Sequence, residues 1–215
     1  MSAALRDAIC RVGASLFARG YAHATAGNIS VRTETGYLIT PTDACLGSLE
    51  PERLAEVDHD GKQISGDRAS KTLALHRRIY DADPEARCVI HTHATHCVAL
   101  TLAGVWQVDD VLPPITPYFV MKVGHVPLIA YRLPGDPAAA DAVASKITMQ
   151  RDRGIPIRAV LLDRLGPVVW HASPAEASAV LEELEETARL WSIAKPTPLD
   201  PDHIEDLRTH FGARW

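Results

Sequence analysis

Apolar residues recur at helical spacing in several parts of the chain. The repeat between positions 5 and 16 predicts an N-terminal amphipathic helix. Similar repeats predict helices over residues 70–80, 94–102, 136–147 and 173–191, the first with Ser70 as its N-cap. The last of these has a capping box at Ser173-Pro174-Ala175-Glu176. Its acidic residues at 182, 183, 185 and 186 are interpreted as a solvated face.

Short β-rich runs lie between these helices. Residues 28–32 and 37–40 flank Glu34-Thr35-Gly36, and residues 56–59 and 62–65 flank Asp60-Gly61, so two hairpins are predicted. Further buried strands are predicted at 88–91, 158–162 and 168–171. Mixed hairpins and helices favour an α/β layered domain with a largely antiparallel sheet. We expect one domain over residues 1–215, with a tail from 195 to 215 that contains a short helix at 202–211.

Composition and charge exclude several classes of protein. The 215 residues have 22 Lys and Arg against 27 Asp and Glu, so a broad surface for nucleic acid or anionic membrane is not expected. No apolar run approaches the ~20 residues of a membrane span, and the charged segment 1–19 is not a signal peptide. The four cysteines lack CxxC spacing and indicate reduced thiols in the cytoplasm.

Ten histidines are a large number for this composition, and four of them lie between positions 76 and 96. His91 and His93 are two residues apart at a predicted strand end, where both side chains point the same way and reach one metal ion. The alternative is that one histidine caps the next helix and the other is hydrogen-bonded in the core. His76 and His96 are interpreted as structural or supporting groups, and His23 as a surface residue, like the histidines at 59, 203 and 210.

A second group of polar residues is typical of turns and caps, and also of a phosphate site. Thr25, Gly27 and Asn28 lie at a loop-to-strand junction, where glycine permits close approach of the backbone to a ligand. Thr42 and Asp43 follow the next strand. Ser70 and Lys71 are predicted to open a helix, where free N–H groups and the helix dipole favour an anion.

Four motifs in order resemble the class II aldolase/adducin family. They are HATAGNISVR (23–32), LITPTD (38–43), SGDRASKTLALH (65–76) and VIHTHATHCVAL (89–100). Within the family, the segments 39–54, 116–136 and 181–190 are most similar to 3-oxo-tetronate 4-phosphate decarboxylases. The resemblance extends over residues 5–191. It implies a three-layer α/β/α domain around a mostly antiparallel sheet, assembled as a homotetramer with active sites at subunit interfaces.

The resemblance also implies the chemistry of the site. A divalent metal, usually Zn²⁺, is expected on His91 and His93. The phosphate of a sugar-acid or ketose substrate is expected at Thr25, Asn28, Ser70 and Lys71, with Gly27, Thr42 and Asp43 nearby. The metal stabilises the enediolate that remains when a carbon–carbon bond breaks. The candidates for the proton donor to that enediolate are Tyr118 from a neighbouring subunit, His96, and a water on the metal.

Two residues depart from the family pattern. Thr72 stands where related enzymes have the acid/base glutamate, and Leu165 stands where they have the third metal-binding histidine. Asp163, His171 and solvent are the candidates for the missing ligand. Three functions therefore stay open. They are a metal-dependent lyase (decarboxylase or aldolase) on a phosphorylated sugar acid, a changed chemistry on a related ligand, and a non-catalytic adducin-like binding or assembly subunit.

Overall fold

The structure, a computed structural model, describes residues 2–215, so Met1 of the predicted domain lies outside it. The helices are α1 (Ser2–Ala18), α2 (Leu73–Ala82), α3 (Thr95–Ala103), α4 (Pro137–Asp152), α5 (Pro174–Ala194) and α6 (Pro201–Phe211). The strands are β1 (Asn28–Arg32), β2 (Gly36–Ile39), β3 (Ala55–Asp58), β4 (Gln63–Ser65), β5 (Cys88–His91), β6 (Leu128–Ile129), β7 (Ala159–Leu162) and β8 (Gly166–His171). Short 3₁₀ turns at Leu46–Ser48 and Pro51–Arg53 and a π-helical turn at Phe119–Val123 lie in the connections.

The strands form an eight-stranded sheet in the order β4-β3-β2-β1-β5-β8-β7-β6. Neighbouring strands are antiparallel except β6 and β7, which are parallel. Both predicted hairpins are present, with Arg32 opposite Tyr37 in the first and Glu56 opposite Ser65 in the second. The predicted α/β fold with a mostly antiparallel sheet is therefore confirmed.

Helices cover both faces of this sheet, because alternate residues of the inner strands point to opposite sides. On β5, Cys88 and Ile90 pack with α1, α3 and α5, whereas Val89 packs with α2 and α4. The two apolar cores lie on the two faces of the sheet, which confirms the three-layer α/β/α arrangement. In the part of the chain that the structure describes, no helix combines the length and apolarity needed to cross a membrane.

The start of α2 differs from the prediction. The helix begins at Leu73 rather than at Ser70, and Thr72 occupies the N-cap position. The Ser70 hydroxyl accepts a hydrogen bond from the Thr72 backbone N–H at 3.4 Å, and the Leu73 N–H donates to the Ser70 carbonyl. Ser70 and Lys71 therefore lie in a turn that precedes the helix. Serine forms such local turns readily, because its side chain competes with the helix for backbone partners.

The predicted tail helix is confirmed as α6, and the residues after it return to the body of the chain. The Trp215 ring stacks on His125, with ring centroids 4.4 Å apart, and contacts Phe119 of the π-helical turn. The Leu199 N–H donates to the Pro114 carbonyl. The tail is thus packed against its own chain through the loop that carries Tyr118.

Several strand ends meet at one edge of the sheet. β2, β5, β6 and β7 run in the same direction, so their carboxyl ends lie together, and β1 and β8 begin at that same edge. Asn28, at the start of β1, is paired with His91, at the end of β5. This edge gathers the polar residues that the sequence singled out.

Candidate active site

A cavity of about 330 Å³ opens at this edge between α2 and α4. Its lining includes the residues predicted for phosphate and metal: Thr25, Gly27, Asn28, Thr42, Asp43, Ser70, Lys71, His91 and His93. A larger cavity of about 450 Å³ lies elsewhere, and His171 is the only candidate metal ligand in its lining. We place the site in the smaller cavity because the donor groups converge there.

The loop that carries both imidazoles is held between two glycines. Gly27 has φ +93°, and a Cβ on it would lie 2.9 Å from the His91 carbonyl oxygen. Gly166 has φ +121°, and its Cβ would lie 2.4 Å from the Thr92 carbonyl oxygen. Only glycine tolerates both the dihedral and the contact at these positions. The close approach that the sequence predicted for Gly27 is thus to this loop of its own chain.

His91 and His93 have the properties of metal-binding imidazoles. The His91 Nδ1–H donates to the Pro167 carbonyl at 2.9 Å, so Nε2 keeps its lone pair. Burial, reinforced by His93, lowers the pKa of His91 to about 4. Burial and the neighbouring His23 lower the pKa of His93. Both rings are therefore neutral near pH 7, and their centroids lie 5.2 Å apart.

Beyond these two imidazoles, the described residues do not complete a set of metal ligands. Among residues 2–215, no group of three or more His, Cys, Asp or Glu side chains is placed to hold a metal ion. Leu165 and Asp163 line the cavity wall, and leucine offers no donor atom. The two neutral imidazoles therefore fit a divalent ion as an open site, whose other positions are left to solvent and substrate.

His171, one of the candidates for the third ligand, is excluded by its position. It pairs with Cys88 at the start of β5, whereas Val168 pairs with His91 at the end of that strand. Three residues of strand separate the two positions by roughly 10 Å. The His171 ring instead interacts with Arg158 and Glu176 at the opposite edge of the sheet.

The side of the cavity where phosphate is predicted is lined by polar side chains. The Ser70 and Thr72 hydroxyls lie 2.9 Å apart, and Lys71 beside them is exposed. The side-chain oxygen of Asn28 is buried and has no hydrogen-bond partner. A buried oxygen without a partner is costly unless a ligand or water satisfies it. Asp43 has φ +57°, a backbone conformation found at functional turns.

His96 is not among the residues that line this cavity, and its role as a proton donor stays a prediction. Its Nδ1 and its backbone N–H both lie 2.8 Å from Oε1 of Glu185, and the Cys97 N–H donates to Oε2 at 2.9 Å. Glu185 is only 2% exposed, so the prediction of a solvated acidic face is wrong at this residue. The Glu185 carboxylate caps α3, directly after the loop of His91 and His93.

Tyr118 also lies outside the cavity lining, with 60% of its surface exposed. Two residues near the site were missed by the sequence analysis. His23 is exposed as expected, but its ring meets the His93 ring edge to face at 6.3 Å. Arg132, between β6 and α4, lines the cavity. The only signal for either was the quoted segment that contains it, 23–32 for His23 and 116–136 for Arg132, since both contacts depend on the tertiary fold.

Comparison with known proteins identifies the relatives of this fold. The family model described as "Class II Aldolase and Adducin N-terminal domain" matches residues 7–192. A 3-oxo-tetronate 4-phosphate decarboxylase of Cupriavidus necator is 57% identical over 98% of this chain and 97% of its own length. An L-fuculose phosphate aldolase of Escherichia coli is 29% identical over 89% of this chain and 88% of its own length.

Solved structures agree with the sequence matches. The crystal structure of YgbL from Escherichia coli, a putative aldolase/epimerase/decarboxylase, has a TM-score of 0.87 and 40% identity, and the match covers 96% of this chain and 99% of that one. The L-fuculose-1-phosphate aldolase from Thermus thermophilus has a TM-score of 0.73 and 32% identity, over 90% of this chain and 98% of that one. The fold, the near-complete sequence match and the position of the HxH loop lead to one conclusion: this chain belongs to the class II aldolase and adducin family, as one of its lyases.

Proposed function

We propose that this protein is a divalent-metal-dependent decarboxylase of 3-oxo-tetronate 4-phosphate, which releases CO₂ and dihydroxyacetone phosphate. The observation that carries the proposal is a single cavity that joins two neutral imidazoles to a group of phosphate-type donors. The 57% identity to a decarboxylase with this name supports the choice of substrate. We further propose Zn²⁺ as the metal, because His91 and His93 are nitrogen ligands that zinc favours.

The chain's own groups divide the work of binding and orientation. Lys71, with the hydroxyl groups beside it, holds the phosphate, which lies remote from the reacting bond and supplies binding energy for orientation. His91 and His93 hold the metal, which when bound polarises the carbonyl oxygen next to the breaking bond. The buried Asn28 oxygen accepts a hydrogen bond from a substrate hydroxyl, which satisfies an otherwise unpaired acceptor.

Thr72 favours loss of CO₂ over aldol cleavage. Aldol cleavage requires a base that removes a proton from a substrate hydroxyl, and threonine does not serve as one near pH 7. In a 3-oxo acid the C1–C2 bond breaks without that base, because its electron pair moves into the enediolate as CO₂ leaves. The later step adds one proton to C2. We propose that Tyr118 of a neighbouring subunit supplies it in a homotetramer, since the exposed Tyr118 lies outside its own chain's cavity.

We propose a cytoplasmic location because the cysteine thiols are free. Cys10, Cys45, Cys88 and Cys97 are all free in the fold, which is usual in a reducing compartment.

The test couples dihydroxyacetone phosphate formation to NADH oxidation and measures CO₂ in parallel, with zinc-loaded protein and freshly prepared 3-oxo-tetronate 4-phosphate. The wild type should release both products in equal amounts, and His91→Ala should release CO₂ no faster than buffer. L-fuculose 1-phosphate, the substrate of an aldol cleavage, should be turned over far more slowly. Equal rates for wild type and His91→Ala would refute the proposal. So would less than about a tenth of an equivalent of zinc after loading.

A further inference from the structure

The segment between β6 and α4, residues 130–136, forms the wall of the cavity opposite Lys71. A turn fixes it: the Asp136 N–H donates to the Leu133 carbonyl at 2.9 Å, with Pro134 and Gly135 between them and φ +87° at Gly135. The Asp136 side chain then caps α4 by accepting from the Ala138 N–H. The backbone that carries Arg132 is therefore anchored at its C-terminal side by a turn and a helix start.

Arg132 and Lys71 supply the positive charge of the cavity lining. Arg132 is exposed, and its guanidinium has neither a hydrogen bond nor an ion pair within residues 2–215. Three carboxylates also line the cavity, at Asp43, Asp136 and Asp163. Asp136 caps α4, and none of the three forms an ion pair with Arg132 among residues 2–215. A guanidinium of a cavity-lining residue that has no ion-pair partner is available for a ligand anion, and its planar fork matches a carboxylate.

The strand order places the two cations on opposite sides of the imidazoles. The turn of Ser70 and Lys71 is joined to the end of β2 by a hydrogen bond from the Ser70 N–H to the Thr40 carbonyl. β2 lies two strands from β5, which ends at His91, and β6 lies three strands from β5 on the other side. With about 4.8 Å between strands, the imidazoles lie between the lysine side and the arginine side of the site.

We propose that Arg132 binds the carboxylate of the substrate while Lys71 binds its phosphate, which fixes the direction in which the substrate lies. This inference rests on the proposed function and specifies its substrate class: a short phosphorylated acid with an anion at each end. The oxygen-bearing carbons between the two anions then lie against His91 and His93. A ketose phosphate, which has no carboxylate, leaves Arg132 without a partner and binds more weakly.

The contribution of Arg132 should appear in binding more than in turnover. The carboxylate loses its charge as CO₂ leaves, so an ion pair with it is stronger in the bound reactant than in the transition state. Removal of the guanidinium should therefore raise KM for the sugar acid and leave kcat unchanged or raised by up to about threefold. A residue that only supported the local fold would lower kcat and thermal stability together.

The experiment compares two unreactive ligands that differ in one group. 3-Phosphoglycerate has a carboxylate and a phosphate, and glycerol 3-phosphate has the phosphate alone. Their binding to the zinc-loaded full-length protein is measured by calorimetry for the wild type, Arg132→Gln, Arg132→Lys and Lys71→Gln. Arg153→Gln, at the far end of α4, is the control for loss of one positive charge, and it should leave both affinities unchanged.

Arg132→Gln should weaken 3-phosphoglycerate about tenfold or more and change glycerol 3-phosphate less than about twofold. Arg132→Lys should restore part of the loss, because it keeps the charge without the fork. Lys71→Gln should weaken both ligands. Equal weakening of both ligands by Arg132→Gln, or no weakening of either, would overturn the inference, as would a wild type that binds neither. Selective weakening in a protein that releases no CO₂ would leave the inference standing and refute the proposed decarboxylation.

Discussion

Glu185 is the residue whose replacement tests most directly how the fold supports the site. Its buried carboxylate accepts hydrogen bonds from the backbone N–H groups of His96 and Cys97 and also contacts Nδ1 of the His96 ring. All three nitrogen–oxygen distances are 2.9 Å or less. The change Glu185→Gln keeps the shape of the side chain. It removes the charge and turns an NH₂ group towards one of the donors, so that a buried N–H loses its acceptor.

The expected loss follows from these contacts. A hydrogen bond to a charged group contributes about 1.5–3 kcal/mol, and an unsatisfied buried donor costs about 1–3 kcal/mol. The amide oxygen retains part of the first contribution, so we expect Glu185→Gln to lower the free energy of unfolding by about 2–4 kcal/mol. For a chain of this length, that corresponds to a fall in Tm of roughly 5–15 °C.

The matched control is Glu186→Gln on the same helix turn. Glu186 is partly exposed, with 44% of its side chain accessible, and is paired with Arg189, so this change should cost less than about 1 kcal/mol. Thermal unfolding of the metal-free proteins measures the difference between the two variants. A Tm for Glu185→Gln within about 2 °C of the Glu186→Gln value would refute the reasoning. Glu185→Gln should also retain less zinc after dialysis, because the cap that it loses follows the loop of His91 and His93.

Three further changes give separate tests. Leu165→His adds a third imidazole to the cavity wall and should raise zinc affinity about tenfold or more, measured by competition with a chromophoric chelator; an unchanged affinity would mean that position 165 does not face the metal. Lys71→Met should raise KM for the phosphorylated substrate about tenfold and leave kcat within about threefold, and a loss confined to kcat would contradict its role in binding. Burial lowers the pKa of His76 to about 3. Below about pH 6.5 the unfolded chain therefore binds a proton at His76, whereas the folded protein leaves this residue neutral. Metal-free wild type should thereby lose about 2 kcal/mol of stability between pH 7 and pH 5, and the loss should be complete below pH 3. His76→Gln should remove that part of the acid sensitivity, whereas the exposed His203→Gln should leave it, as urea unfolding at each pH will measure.

Local sequence signals were sufficient for most of the sheet. Gly36 and Asp60-Gly61 predicted both hairpins, and the turn residues also fixed which strand residues pair. The start of α2 was misplaced because Ser70 uses its hydroxyl in a turn two residues long instead of capping the helix. Serine serves both purposes, and only the surrounding fold selects between them.

The candidate site was predictable where its residues share a motif. The HxH pair and the segments around Asn28 and Lys71 line one cavity, as the family resemblance implied. Glu185 was misread because its partner His96 is 89 residues away, and nothing in an acidic run distinguishes the one carboxylate that is buried. Arg132 was missed for a similar reason, since its place in the cavity depends on the pairing of β7 with β6, the outermost strand of the sheet.

The two glycines that hold the HxH loop have a consequence for how this protein changes over evolutionary time. Gly27 and Gly166 fix the loop through contacts between backbones, and neither contact involves a metal. The shape of the loop is therefore independent of the ligand set, and leucine at position 165, where the family resemblance implies a histidine, leaves the scaffold intact. A lineage that carries such a loop is able to exchange ligands one codon at a time. New metal preferences and new chemistries then lie a single substitution away from a protein that already folds.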